Sequence, residues 1–481
     1  YSGFGCCAGG ENGEDGEYLV YLKPNALFSA SPIRGQPPLT VNFQDESVSG
    51  SEEIISWEWN FGDGSSSSLQ FPNHTYNDYG SYSVSLTVED ISGYTSTKLI
   101  NNFISVDYQK YTMEDVRAGE AQNKFNVIST FAGGGGSSTG YRLAGGKILC
   151  INEFVKEARN TYHENYPNTP ILSDDIKELT GEDLLTAANI GVGEVDILDG
   201  SPPCSAFSMA GAVVQGGGHS KGFGKTKNYS DGKKVENIED LFFEFIRVAK
   251  DIQPKVIVAE NVSGLLMGEA KNYYFKIIAE FGNIGYNVSS MLLDSSHYGV
   301  PQTRKRVIFI AVRKDVTDAI GLTSLNIASI FPEKSSEVVT CGNAFSDLVY
   351  DEEEIKMLTE SFTKGSHFVT ASKMPLDPKK VLTGCDYHPK GHHFNMKRIS
   401  RFKPAPTITA SGGCIHWSEM RKLALCETRR LTSLPEDFKL TGKWEQRSER
   451  MGRMVPPLMM KAIADSIYKK VLKPYKELNN G

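Results

Sequence analysis

One of the cysteines lies where a strand is predicted to end. Cys204 directly follows two prolines in the stretch DGSPPCSAFSMAG. Because proline fixes the backbone, the sulfur is held at the strand end rather than in the core. A lone cysteine is more often a small buried hydrophobe, but AENV places Glu260 at the tip of another predicted strand, and PQTRKR adds Arg304 and Arg306. Together these side-chain types are suited to nucleophilic catalysis.

A second set of residues is suited to binding a nucleoside. The glycine-rich stretch FAGGGG at residues 131–136 follows a predicted strand, although such a turn also occurs without a ligand. Glu153 ends the next strand and can accept a ribose hydroxyl pair, and Asp175 ends the third and can accept an adenine amino group. Either carboxylate alone could simply face solvent. The ordered set of three strand ends predicts a nucleoside pocket.

The elements that would position these residues alternate between short apolar runs and helical stretches. The apolar runs are KILCINE, VDILDGSPPC, KVIVAENV and RVIFIAV, and IEDLFFEFIRVAKDI is a helical stretch between two of them. This order predicts an α/β fold with a doubly wound, Rossmann-like parallel sheet, in which ligands bind at the carboxyl ends of the strands.

The first hundred residues follow a different pattern. From about Leu19 onward, short alternating runs such as LTVNFQD and YSVSLTVED are separated by turn residues, which is typical of a small β-sandwich. The string WEWNFGDG followed by PNHTYNDYGSYSVSLTVED resembles the PKD (polycystic kidney disease) Ig-like domain. The resemblance implies an all-β, non-catalytic module with Trp57 or Trp59 in its core and a turn shaped by Gly62 and Gly64. Its aspartates are interpreted as turn residues rather than metal ligands.

The chain from about residue 125 to 475 resembles the cytosine-5 DNA methyltransferase family. Eight motifs occur in the family's order: F-x-G-x-G-G at 131–136, the acid at 153, Asp175-Ile176, Pro-Pro-Cys at 202–204, Glu-Asn-Val at 260–262, Gln-x-Arg-x-Arg at 302–306, RKLALCETRRLTSLPEDF at 421–438 and a Gly-x-x-Val-Pro-Pro turn at 452–457. One departure is Ser205, where the family often has Gln. The resemblance implies that the catalytic residues are Cys204, Glu260, Arg304 and Arg306. It implies a cofactor site without a metal, formed by Phe131, Gly133, Gly135, Glu153, Asp175, Ile176, Pro202, Leu241 and Arg453.

The activity implied by the resemblance is methyl transfer from S-adenosylmethionine to carbon 5 of cytosine in double-stranded DNA. A thiolate at Cys204 would add to carbon 6 while Glu260 protonates or hydrogen-bonds ring nitrogen 3. Arg304 and Arg306 would orient the base and favour the thiolate, although Arg306 could equally be a structural partner of Glu260. The cytosine must be flipped out of the duplex, and the glycine-rich run at 211–234 would close over it as a lid.

Arg453 departs from the family, in which Asn usually follows this glycine beside the methionine part of the donor. At about 5 Å from a sulfonium, a guanidinium meets a repulsion of about 3 kcal/mol at an effective dielectric of 20. A donor that ends in a carboxylate, carboxy-S-adenosylmethionine, would instead give Arg453 a bidentate partner and yield 5-carboxymethylcytosine. Alternatively, Arg453 contacts a DNA phosphate or the cofactor's own carboxylate. Methyl transfer is the main prediction, and carboxymethyl transfer is the alternative.

Charge and cysteine distribution bear on partner and compartment. Residues 380–481 hold 20 Lys and Arg against 9 Asp and Glu, whereas residues 1–110 hold 4 against 14, so the basic end is suited to binding DNA. Eight scattered cysteines without a C-x-x-C pair indicate reduced thiols. No apolar run approaches the ~20 residues of a membrane span. We expect a monomer in the cytoplasm of a bacterial or phage-infected cell, with no membrane partner.

The predicted domain order is a flexible lead-in at 1–18, a PKD-like sandwich at 19–107, a linker at 108–124, a catalytic and cofactor-binding domain at 125–315, a target-recognition region at 316–420, and returning motifs at 421–481. Within the recognition region, the spacing of CDYHPKGHH (385–393), Cys414 and His416 fits no standard zinc finger, and a polar DNA-facing loop is the preferred interpretation. Two further functions stay open at this stage: a non-catalytic DNA-binding protein, and an enzyme that acts on RNA.

Overall fold

The computed structural model describes residues 21–479 except 36, 109, 204–225, 229–233, 237–239, 269 and 411–412, and describes only the backbone of 226–228 and 234–236. The predicted nucleophile Cys204, its neighbour Ser205 and most of the predicted lid therefore lie outside the described residues. The chain divides into two compact units, residues 1–109 and residues 110–481.

The first unit is a β-sandwich, as predicted. Its strands are β1 (Phe28–Ser31), β2 (Arg34–Gly35), β3 (Leu39–Asp45), β4 (Ile54–Asn60), β5 (Ser66–Ser67), β6 (Asn73–Tyr76), β7 (Gly80–Asp90) and β8 (Thr95–Val106). They form one sheet in the order β1-β3-β6 and another in the order β2-β8-β7-β4-β5. Trp59 is fully buried, whereas Trp57 lies nearer the surface and donates its indole N–H to Asp45 at 2.7 Å. Of the two candidate tryptophans, Trp59 is therefore the one that fills the core.

The second unit is built around a seven-stranded sheet with the order β11-β10-β9-β12-β15-β18-β16. The strands of this unit are β9 (Phe125–Thr130), β10 (Gly146–Asn152), β11 (Ile171–Leu172), β12 (Ile197–Gly200), β13 (Thr226–Asn228), β14 (Lys234–Glu236), β15 (Val256–Val262), β16 (Tyr286–Asp294), β17 (Gln302–Thr303), β18 (Lys305–Arg313), β19 (Leu382–Thr383), β20 (Lys397–Arg398), β21 (Ala405–Pro406) and β22 (Cys414–Ile415). The Rossmann-like, doubly wound fold class is confirmed by this arrangement.

One strand of the central sheet runs against the others. The pairs from β11 to β15 are parallel, but β18 is antiparallel to both β15 and β16. The connection from Asp294 to Lys305 is too short for the crossover that a parallel pair needs. The prediction of a wholly parallel sheet is therefore wrong at β18. As a consequence, the amino end of β18 lies at the same edge as the carboxyl ends of its neighbours, and Arg306 pairs in register with Val262.

Helices cover both faces of this sheet. The helices of the second unit, which include those on the sheet, are α1 (Met113–Glu120), α2 (Gly136–Leu143), α3 (Lys156–Asn165), α4 (Gly181–Ala188), α5 (Leu241–Ile252), α6 (Ala270–Asn283), α7 (Lys314–Ala319), α8 (Cys341–Phe345), α9 (Glu352–Thr363), α10 (Phe368–Ala371), α11 (Leu425–Leu431), α12 (Trp444–Arg453), α13 (Pro457–Ile467) and α14 (Lys473–Asn479). Successive strand residues point to opposite faces. Val127 and Val258 accordingly join a core with α13, and Ile128 and Ile257 join a core with α5.

The segment predicted as a linker is partly helical and belongs to the second unit. Helix α1 lies within 108–124, and its Val116 is fully buried. The Tyr111 hydroxyl donates to the Ser433 carbonyl, and the Met113 N–H donates to Asp437 at 2.7 Å. Residues that looked polar and connecting in the sequence thus pack against the returning C-terminal motifs.

The predicted recognition region contains the helices α8 to α10, of which α8 and α10 are short, and a small sheet with the order β19-β20-β22. Its interior holds Phe362, Met374, Met396 and Ile415. Within the described ranges, no helix is long and apolar enough to cross a membrane, and no group of three His, Cys, Asp or Glu side chains is arranged to hold a metal ion.

Candidate active site

A cleft of about 400 Å³ opens at the carboxyl edge of the central sheet. It lies across β9 and β12, where the strand order reverses, which is the usual place for a ligand in an open α/β sheet. The predicted site residues that line it are Phe131, Gly133, Glu153, Asp175, Ile176, Pro202, Leu241, Glu260, Arg304, Arg306 and Arg453. Residues spread over more than 300 positions of sequence are thereby brought to one cavity.

The glycine-rich turn forms one wall of this cleft. Phe131, Gly133 and Gly135 all have positive φ, at 51°, 58° and 101°. A Cβ added at Gly133 would meet no atom within 4 Å, so a side chain there would occupy open cleft space. Gly135 differs, because it caps the start of α2 and a Cβ would lie 3.1 Å from both Tyr162 and Tyr166. Gly133 therefore leaves room for a ligand, while Gly135 serves the fold of the turn and does not line the cleft.

Glu153 lies at the floor of the cleft and is largely buried. One carboxylate oxygen accepts the Gly133 N–H at 2.8 Å, and the other accepts the Val155 N–H at 2.7 Å. Burial raises the pKa of Glu153, and these two N–H groups and the Arg450 guanidinium oppose that rise. Each oxygen keeps a second lone pair that can accept from a ligand hydroxyl, so Glu153 both holds the glycine turn and can receive a diol.

Asp175 and Ile176 follow β11 on the opposite wall. Asp175 is half-buried and Ile176 is buried, and the Asp175 carboxylate accepts only the local Lys177 N–H at 3.1 Å among its described contacts with backbone donors. Asn152 joins the neighbouring strand ends by donating to the Leu172 and Asp174 carbonyls at 3.3 and 2.9 Å. This tie holds Asp175 at the rim of the cavity.

Glu260 and Arg306 form an ion pair at the other end of the cleft. The distance from Arg306 Nε to Glu260 Oε1 is 2.6 Å, and the side chains are only 14% and 12% exposed. The two residues lie on adjacent antiparallel strands, β15 and β18. Arg306 is thus a structural partner of Glu260, which is one of the two roles that the sequence left open. Both side chains line the cavity.

Arg304 is used differently from Arg306. Its guanidinium is 3% exposed and donates from Nη1 to the carbonyls of Gly452 at 2.9 Å and Ile408 at 3.2 Å, with the Arg453 carbonyl 3.5 Å from Nη2. Burial, followed by the neighbouring Arg306 charge, lowers the pKa of Arg304 to about 9, so it stays cationic at neutral pH. Arg304 therefore ties the recognition region and α12 to the edge of the sheet.

Arg453 lines the cleft from the last turn of α12. The sequence predicts a turn beginning at Gly452, but α12 continues through Arg453 and the chain turns only after it. Arg453 Nη2 lies 2.6 Å from Glu449 Oε1, and Arg450 Nη2 lies 3.6 Å from the other oxygen of the same carboxylate. Glu449 therefore stands between two guanidinium groups that both line the cavity.

Sequence reasoning missed a buried carboxyl group beneath the glycine turn. Asp199 on β12 accepts the Ser129 hydroxyl at 2.8 Å and the Tyr141 hydroxyl at 3.1 Å. Burial raises the pKa of Asp199 to about 7, against the effect of these two hydrogen bonds. The signal was an aspartate inside the otherwise apolar run ILDG, five positions before Cys204. Pro202 and Pro203 line the cavity, so the described chain enters the cleft immediately before the predicted nucleophile.

Comparison with known proteins agrees with this geometry. Residues 125–469 match the sequence model for the C-5 cytosine-specific DNA methylase family, and residues 23–104 match that for the PKD domain. The chain is 30% identical to the type II methyltransferase M1.HphI of Haemophilus parahaemolyticus over 71% of this chain and 86% of that protein. It is 30% identical to M.DdeI of Desulfomicrobium norvegicum over 71% and 88%.

The fold is also similar to that of a solved structure. A crystal structure of a prophage-encoded E. coli protein, described as a DNA modification methyltransferase, is similar with a TM-score of 0.54 and 20% identity, over 72% of this chain and 99% of that one. A PKD domain at residues 23–104 therefore precedes the residues that match the methylase model, and the chain belongs to the C-5 cytosine-specific DNA methylase family.

Proposed function

We propose that this chain transfers a methyl group from S-adenosylmethionine to carbon 5 of a cytosine flipped out of double-stranded DNA, through a covalent adduct with Cys204. The observation that carries the proposal is that one cleft contains both the Glu260–Arg306 ion pair and residues suited to binding a nucleoside, Gly133, Glu153 and Asp175. The strand end before Cys204 leads directly into this cleft.

The base end of the cleft supports the roles proposed for Glu260 and Arg306. With the cytosine seated beside them, the Cys204 thiolate forms a bond to carbon 6, and Glu260 supplies a proton or hydrogen bond to ring nitrogen 3. Arg306 holds the Glu260 carboxyl group at 2.6 Å and can direct its remaining N–H groups to the base. After transfer, the carbon-5 proton passes to water, the bond from sulfur to carbon 6 breaks, ring nitrogen 3 returns its proton to Glu260, and the thiolate is restored.

The other end of the cleft has the chemistry that a nucleoside donor needs. Open space at Gly133, the Glu153 acceptors and the Asp175 carboxylate fit a glycine wall, a ribose and an adenine amino group. S-adenosylmethionine, when bound, supplies the methyl group. This chain's own residues orient it, and Phe131, Ile176 and Leu241 supply apolar surface around it.

Carboxymethyl transfer is a second candidate, favoured by one observation. Two guanidinium groups, Arg450 and Arg453, lie at 3.6 and 2.6 Å from the Glu449 carboxylate and line the cleft, and a guanidinium can bind a donor carboxylate through two parallel hydrogen bonds. The same ion pair also weakens the repulsion between Arg453 and an ordinary sulfonium that the sequence alone suggests. Because Glu449 compensates much of the Arg453 charge, methyl transfer remains the proposed activity.

One experiment separates these activities. The protein is incubated with duplex DNA or tRNA and with each donor, and the released nucleosides are weighed by mass spectrometry. The proposal expects 5-methylcytosine from duplex DNA with S-adenosylmethionine. Formation of 5-carboxymethylcytosine alone, with its loss in Arg453→Asn, would establish the second candidate instead. Modification of tRNA in preference to DNA, or of neither, would contradict the proposed substrate.

A further inference from the structure

Four histidine rings meet on the surface of the small β19-β20-β22 region. We call the group of His367, His388, His392 and His393 the histidine patch. The centroid distances are 4.5 Å between His367 and His393, 4.8 Å between His388 and His393, and 5.0 Å between His388 and His392. His367 and His392 are exposed. Such close packing of imidazoles makes their protonation mutually unfavourable unless an anion is present.

The patch lies next to the segment that reaches the cleft. Ala410 lines the cleft, and a Cβ at Gly413 would lie 2.3 Å from the Asn395 carbonyl oxygen, two residues after His393. The Lys397 N–H donates to the Gly413 carbonyl at 2.9 Å. The loop that carries the patch therefore packs against the chain that follows the cleft residue Ala410, and Phe394 on this loop is 44% exposed.

The charged groups that act on the patch are predominantly cationic. Lys422 acts on His367, and Lys373 and Lys390 act on His388. Asp386 lies in the adjoining turn, where its carboxylate accepts from Cys385 Sγ at 3.6 Å. Burial, followed by the His393 ring and these lysines, lowers the pKa of His367 and His388. Free of ligand, both rings are therefore mainly neutral at pH 7.

We infer that the histidine patch is a proton-linked contact for the DNA backbone, which binds phosphate most strongly when His367 and His388 are charged. This inference rests on the proposed function, because it requires that duplex DNA occupies the cleft. A phosphate beside a ring stabilises the imidazolium, so the pKa is higher in the complex than in the free protein. Binding then takes up protons, and affinity rises as pH falls toward 6 and is lost as pH rises through the bound-state pKa.

The test is the pH dependence of duplex binding by the full chain at constant ionic strength, measured by fluorescence anisotropy. Uptake of about one proton strengthens binding about thirtyfold between pH 7.5 and 6.0. The double variant His367→Gln/His388→Gln should reduce that change to about twofold or less. The matched control is His163→Gln, an exposed histidine on α3 outside the patch, which should keep the full dependence.

The outcomes distinguish this inference from the proposed function. Equal pH slopes in the double variant and the parent would overturn the inference, as would binding that requires added Zn²⁺ and is abolished by EDTA. Duplex binding that is independent of pH refutes the inference alone. Absence of duplex binding at every pH refutes the proposed function, and the inference with it.

Discussion

Replacement of Arg304 by methionine should destabilise the methyltransferase unit and weaken donor binding, with less effect on the chemical step. The guanidinium donates to the carbonyls of Gly452 at 2.9 Å and Ile408 at 3.2 Å inside the protein. A buried carbonyl left without a donor costs about 1–3 kcal/mol, so two such groups cost about 2–6 kcal/mol. Relief of the buried charge offsets part of this cost. We expect a net loss of about 3 kcal/mol in the free energy of unfolding.

The assay pairs urea denaturation with steady-state kinetics. Because Arg304 holds Gly452 beside Arg453, its loss should raise KM for the donor about tenfold or more, while kcat falls less. Arg304→Lys keeps the charge without the planar fork and should give an intermediate loss of stability. An Arg304→Met protein that is as stable as the parent, with normal KM and a large fall in kcat, would refute this assignment and make Arg304 a catalytic residue.

Three further predictions concern other described residues. Arg306→Gln should lower kcat by about 10²–10³ with little change in urea midpoint, because its partner Glu260 faces the proposed base site; an unchanged kcat would contradict that role. Asp199 has a raised pKa of about 7, so it lowers the free energy of unfolding as pH rises from about 4 to 7, by up to about 1.4 kcal/mol per unit. Asp199→Asn should remove this pH dependence of the free energy of unfolding in parallel urea titrations. An identical pH dependence in the variant and the parent would contradict the raised pKa of Asp199. Gly140→Ala should lower the calorimetric Tm by several degrees, because its Cβ would lie 2.5 Å from the Pro457 carbonyl on α13; an unchanged Tm would show that α13 can shift.

Much of the site could be predicted because its residues are fixed by local sequence. The glycine turn, Glu153 and Glu260 each follow an apolar run, and parallel strands bring such ends to one edge. The residues expected to line the cleft do so, except Gly135, which packs under the turn, and Cys204, which lies outside the described residues. Their chemical roles stay predictions.

The rest depends on long-range contacts that no local pattern contains. Arg306 reaches the site because β18 is reversed. Arg304 and Arg306 differ in their contacts because backbone carbonyls lie beside Arg304, whereas the Glu260 carboxylate lies beside Arg306. The pairing of Arg453 with Glu449 is a feature of α12, whose last two residues the sequence predicted as the start of a turn. Helix α1 looked like a linker because its apolar face is short and its partners lie more than 300 residues away.

The most direct test of the account is covalent trapping on a duplex that carries 5-fluorocytosine at the target base. Fluorine cannot leave as a proton does, so an enzyme that attacks carbon 6 stays bonded to the DNA after transfer. We expect a denaturation-resistant complex with the parent protein and donor, and none with Cys204→Ser. A Cys204→Ser protein that forms the complex, or that modifies ordinary duplex as fast as the parent, would contradict it.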